Sequence, residues 1–125
     1  MNIQEKNHAL LVSYFQQGCK SNCIQKLGVE IEHFVIRRDT KESVPYYGER
    51  GVEAILAELS GSYPEQILDN GALLGLANND YSLTLEPAGQ LEISIVPKES
   101  IRVIYKIYKS FLRQILPVLD RFGYE

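Results

Sequence analysis

Two stretches of period-two alternation constrain this chain most: Gly28-Val29-Glu30-Ile31-Glu32-His33-Phe34-Val35-Ile36 and Leu85-Glu86-Pro87-Ala88-Gly89-Gln90-Leu91-Glu92-Ile93-Ser94-Ile95. Successive side chains of a strand leave opposite faces, so Glu30 and Glu32 share one face while Val29, Ile31 and Val35 share the other. In the second stretch Gln90, Glu92 and Ser94 project together, and Leu91, Ile93 and Ile95 point into the expected core. Glutamate is a poor strand former, and like charges on neighbouring strands repel. A face built of oxygen ligands that pays such a penalty points to a cation, with Mg2+ or Mn2+ as the matching class.

The spacing predicts a helix over Ile3 to Gln17, packed through Ala9, Leu10, Val12, Tyr14 and Phe15 and stopped by Gly18. A polar linker through Ser21 and Asn22 leads to the first acidic strand, from about Lys26 to Arg37, and a turn-rich segment follows from Arg38 to Ser43. Val44 to Tyr47 reads as short and extended. A second helix is expected from Glu49 to Leu59, on Val52, Ile55, Leu56 and Leu59, and ends at Gly61. Ala72–Ala77 and Tyr81–Leu85 form a hairpin about Asn78-Asn79-Asp80. Pro87-Ala88-Gly89 interrupts the chain before the second acidic strand resumes at Gln90, which leaves Glu86 at a strand end. A final helix runs from Glu99 to Leu119, with an apolar face of Ile101, Ile104, Tyr105, Tyr108, Phe111, Leu112, Ile115 and Leu119, and Pro117 should bend or end it. The order helix, strand, helix, three strands, helix is an α+β layer structure with a largely antiparallel sheet.

With 125 residues, 45% of them hydrophobic, the chain has the size of one domain and enough apolar content for a modest core. A formal charge of -3 and no basic cluster longer than Arg37-Arg38 argue against nucleic acid as a partner. No apolar run reaches the roughly 20 residues that span a bilayer, and the first residues lack the order of a signal peptide, so no membrane and a cytoplasmic location are expected. Cys19 and Cys23, with no second pair, do not complete a zinc site and read as ordinary thiols. His8 reads as a surface residue. His33 leaves the face opposite Glu30 and Glu32 and reads as packed or partly exposed rather than catalytic.

Carboxylates two apart on a strand are roughly 7 Å from each other, suited to bracketing neighbouring ions, and side-by-side acidic strands would let one ion be shared. Magnesium held in this way would bridge nucleotide phosphates and serve phosphoryl transfer. A solvated sheet face is the structural alternative. A glycosidase pair is the chemical one, weakened by the absence of tryptophan.

The first motif resembles the Gly-x-Glu-x-Glu strand of glutamate-cysteine ligases, and Leu85 to Ser94 resembles their Glu-Pro-Gly-Gly-Gln-x-Glu-x-Ser strand. The likeness covers residues 26 to 120, the N-terminal part of such an enzyme. It implies a glutamine-synthetase-like catalytic fold and ATP-dependent joining of L-glutamate to L-cysteine, or to another amine, through a γ-glutamyl phosphate, the first step of glutathione biosynthesis. It also implies Glu30, Glu32, Glu86 and Glu92 as metal ligands, with Glu30 and Glu92 as catalytic residues. Glu86 and Gln90 would contact the cofactors, ATP and Mg2+ or Mn2+, and Ser94 is a lesser candidate. Ala88 stands where the family motif carries its second-position glycine. Family enzymes are several times longer, so these 125 residues are expected to be a fragment or truncated product, weak or inactive alone as a ligase. The competing reading is a non-enzymatic, stand-alone module of this fold that binds metal or a partner chain.

Overall fold

The computed structural model describes residues 2–20 and 23–125. Of the expected polar linker, Ser21 and Asn22 lie outside the described residues. Helix α1 (Ile3–Gly18) opens on a capping box in which Asn2 and Glu5 exchange side-chain and backbone bonds. It is followed by β1 (Leu27–His33), α2 (Val52–Leu59), β2 (Glu65–Asp69), β3 (Ala72–Ala77), β4 (Tyr81–Glu86), β5 (Gln90–Lys98) and α3 (Ile101–Phe122). The five strands form one sheet in the order β1-β5-β4-β3-β2, with every neighbouring pair antiparallel.

One face of the sheet is closed by helices. Val52, Ile55, Leu56 and Leu59 recur at helical spacing and are all buried, which seats α2 on β3. Helix α3 buries Ile104, Phe111, Ile115, Val118 and Leu119 against β5 and α2. The alternating Leu91, Ile93 and Ile95 of β5 lie beneath them, each at most 4% exposed. The C-terminal residues are tied in: Tyr124 is buried, its hydroxyl donates to the Arg50 carbonyl at 2.6 Å, and Ile36 and Glu125 exchange backbone bonds at 2.9 Å.

Several expectations are corrected. Helix α1 forms but does not pack: none of its residues is buried, and Leu10, Leu11, Tyr14 and Phe15 are each at least 60% exposed. The inner face of the sheet is already covered by α2 and α3, so a third helix finds no apolar surface there. The first acidic strand ends at His33 rather than Arg37, because Ile36 and Arg37 bridge to Ser43 and Tyr124 instead of to β5. Helix α2 starts at Val52, three residues later than expected. Strand β2 is additional to the four anticipated.

Pro117 does not end α3, which runs five residues further. The apolar anchors Val118 and Leu119 and the left-handed Gly123 cap hold the last turn, and Tyr124 N–H reaches the Leu119 carbonyl at 2.9 Å. Ile101 and Tyr105, placed on the apolar face by periodicity, are exposed.

Candidate functional site

Among the described residues no helix packs on the sheet's second face, and the register fixes what stands on it. Glu30 of β1 lies opposite Ser94 of β5, which lies opposite Ser82 of β4. Ser82 in turn faces Ala77, and Ala77 faces Glu65, so one polar row crosses all five strands. In the next row Glu32 stands directly opposite Glu92, with Thr84 on the far side of Glu92. Glu86 and Gln90 pair at the end of the β4–β5 hairpin. All five glutamate and glutamine positions expected from the two motifs therefore meet on one face, brought there by alternation within strands and the antiparallel register between them.

Hydroxyls stand beside the carboxylates. Ser94 Oγ donates to Glu92 Oε1 at 2.8 Å and lies 3.5 Å from Glu30 Oε1, while Thr84 Oγ1 donates to Glu92 Oε1 at 3.5 Å. Glu92 and Glu86 are partly buried, whereas Glu30 and Glu32 are exposed. Like charges directly opposite one another, as Glu32 and Glu92 are, destabilise a sheet by up to about 1 kcal/mol. Among the described residues no three acidic, histidine or cysteine side chains gather closely enough to hold an ion by themselves. An open depression of about 550 Å³ lies at one end of the face, lined by Glu30, Asn78, Ser82 and Ser94 among others.

The interruption between the strands is a tight turn, Pro87–Gly89. Gln90 uses its side-chain amide to hold it, donating to the Pro87 carbonyl at 3.3 Å. Ala88 and Gly89 are both left-handed, at φ 65° and 74°. Glycine meets that requirement without a Cβ penalty, and alanine pays about 1–2 kcal/mol for it. Ala88→Gly is therefore expected to raise unfolding stability by about 1 kcal/mol, after allowance for glycine's greater unfolded-state freedom. Urea denaturation followed by circular dichroism checks this, and a loss of stability would contradict the left-handed turn.

His33 leaves the opposite face, as its alternation requires. Its Nδ1 lies 3.1 Å from the Leu91 carbonyl, which can only accept, so Nδ1 carries the hydrogen. In the neutral ring Nε2 then accepts from Tyr108 Oη at 2.9 Å. The ring packs beside Tyr108 and Phe111, so His33 is a half-buried packing residue with both nitrogens partnered. Cys19 and Cys23 are free and exposed. No helix among the described residues is long and apolar enough to cross a membrane.

Ser82, Thr84 and Glu65 belong to the polar face without having been picked out by motif. Ser82 and Thr84 were legible in the alternation of Tyr81 to Glu86. Glu65 required β2, whose signal was the Asn70-Gly71 pair: both residues have positive φ, at 48° and 88°, as a two-residue hairpin turn between β2 and β3 demands.

No family model matches the chain. Distant relatives do align over nine tenths of it. It is 31% identical over 113 residues to glutamate–cysteine ligase A, chloroplastic, of Oryza sativa subsp. japonica, covering 90% of this chain and 23% of that protein. To the chloroplastic glutamate–cysteine ligases of Brassica juncea and Arabidopsis thaliana it is 27% and 26% identical over 114 residues, covering 22% and 21% of their lengths. The chain thus spans less than a quarter of the curated relatives it matches.

Proposed function

We propose that this chain is the part of a glutamate–cysteine ligase that carries its acidic, metal-holding sheet face, in an enzyme that couples ATP cleavage to γ-glutamylcysteine formation. The observation that carries the reading is the register that sets Glu30, Glu32, Glu86, Gln90 and Glu92, from two separate motifs, on one open face. The names of the aligned relatives supply the reaction class, and the antiparallel sheet with one open face suits a glutamine-synthetase-like catalytic fold.

The donor set on this face is oxygen only: carboxylates, hydroxyls and one amide. Such a set suits Mg2+ or Mn2+, which keep several waters and take one or two protein carboxylates plus substrate phosphates. Glu92 with Glu30 or Glu32 would supply the protein's share, and Glu86 would serve a neighbouring ion at the strand end. A divalent cation there would neutralise the β- and γ-phosphates of ATP. In the reaction, an oxygen of the glutamate γ-carboxylate attacks the γ-phosphorus and ADP leaves. The cysteine amine then attacks the activated carbonyl, releasing phosphate and a proton. The chain's residues act by placement and charge, and Gln90 keeps the loop beside Glu86 in its turn.

Native protein containing this chain, purified intact from its source, should form ADP only when both glutamate and cysteine are present, with γ-glutamylcysteine in equal amount. ADP formation with another amine in place of cysteine would move the assignment to a different carboxylate–amine ligase. Absence of any glutamate-dependent ADP would leave the second reading, a metal- or partner-binding module, which the exposed apolar side chains of α1 favour.

A further inference from the structure

Glu92 is the carboxylate on the open face with the most hydroxyl partners, and both of them come to one oxygen. Ser94 Oγ donates to Oε1 at 2.8 Å and Thr84 Oγ1 at 3.5 Å, and neither bonds Oε2. Ser94 reaches Glu92 from two residues along the same strand, and Thr84 reaches it from the directly opposite position of β4. On the other side stands Glu32, whose carboxylate repels that of Glu92. Ser94 Oγ also lies 3.5 Å from Glu30 Oε1, yet a hydroxyl has one hydrogen to give, and the shorter contact assigns it to Glu92.

We infer that Ser94 and Thr84 are positioning residues for Glu92: they engage Oε1 and fix the carboxylate's rotation, so that Oε2 is the oxygen offered to a divalent cation. This rests on the metal reading of the face given above and adds which side chains set its geometry. Ligand carboxylates are oriented by such outer partners, whose loss costs roughly 10–100-fold in metal affinity. Thr84 lies outside both acidic motifs and enters only through the pairing of β4 with β5.

The test is titration of native protein containing this chain with Mn2+ alone, reading free Mn2+ by electron paramagnetic resonance. Ser94→Ala should weaken binding about tenfold, Thr84→Val should weaken it less, and Ser94→Thr, which restores the hydroxyl, should bind within about twofold of the parent. A purely structural role would lower the melting temperature of Ser94→Ala and leave its Mn2+ affinity below the melt unchanged. Equal affinities in the parent and in folded Ser94→Ala and Thr84→Val would overturn the inference and leave the metal reading standing. Failure of the parent itself to bind Mn2+ would overturn both, with the metal reading as the one that failed. Should Ser94→Ala not fold, the near-isosteric Thr84→Val still decides the question.

Discussion

Phe111→Ala is expected to cost about 3–5 kcal/mol of unfolding stability, the range for removing a fully buried aromatic ring. Phe111 is 1% exposed and sits where α3 crosses the sheet, with ring centres 5.6 Å from His33 of β1, 6.0 Å from Tyr81 of β4 and 6.1 Å from Tyr108 of its own helix. The neighbours cannot close the gap cheaply. His33 is held by the Leu91 carbonyl and Tyr108, and Tyr81 by the Tyr63 hydroxyl at 2.7 Å, so the cavity stays largely open. Domains of this size are stable by only about 5–15 kcal/mol, which makes the loss a large share of the total. Urea denaturation should show a lower midpoint with an unchanged slope. Tyr105→Ala, on the same helix but 61% exposed, should stay within about 0.5 kcal/mol of the parent. A loss below about 1 kcal/mol for Phe111→Ala would mean that α3 does not close the inner face through this residue.

What the sequence made legible was local. The alternation of Glu30 to His33 and Gln90 to Ile95 assigned each side chain to the correct face, and the Asn78-Asn79-Asp80 hairpin follows from turn chemistry alone. The placement of Glu32 opposite Glu92 was not legible, because register between strands sixty residues apart is settled by pairing across the sheet rather than by either segment. Strand β2 is not legible as a strand because all five of its residues are exposed and it has a register shift at Ile67/Leu68, leaving no apolar alternation. The failure at α1 is of another kind. Its apolar stripe is real, but a stripe states only that a helix could bury one face, and the two other helices had already taken the available sheet surface. Helix α3 continues past Pro117 because a proline removes one bond, while Val118, Leu119 and the Gly123 cap supply several interactions beyond it.

Glu92→Gln should reduce glutamate-dependent ADP formation by native protein containing this chain by about 100-fold or more, the scale of losing one preorganised charge-stabilising group. The substitution is narrow for a structural reason. A glutamine carbonyl oxygen can accept from Ser94 and Thr84 as Glu92 Oε1 does, which turns the amide NH2 toward the position that Oε2 holds. An NH2 group donates and does not ligate a divalent cation, so the change removes a charge and one ligand oxygen while keeping side-chain shape and both hydroxyl contacts. It also ends the repulsion with Glu32, which should raise stability by about 0.2–1 kcal/mol in metal-free buffer. Activity and stability therefore move in opposite directions. Damage to the fold would lower both, and a carboxylate that merely decorates a wet sheet face would change neither beyond a few tenths of a kcal/mol. Mg2+ sharpens the contrast: saturating Mg2+ should raise the melting temperature of the parent and leave that of Glu92→Gln nearly unchanged. Normal turnover in Glu92→Gln at saturating Mg2+ would remove Glu92 from the metal site and, with it, the hydroxyl pair assigned to hold it.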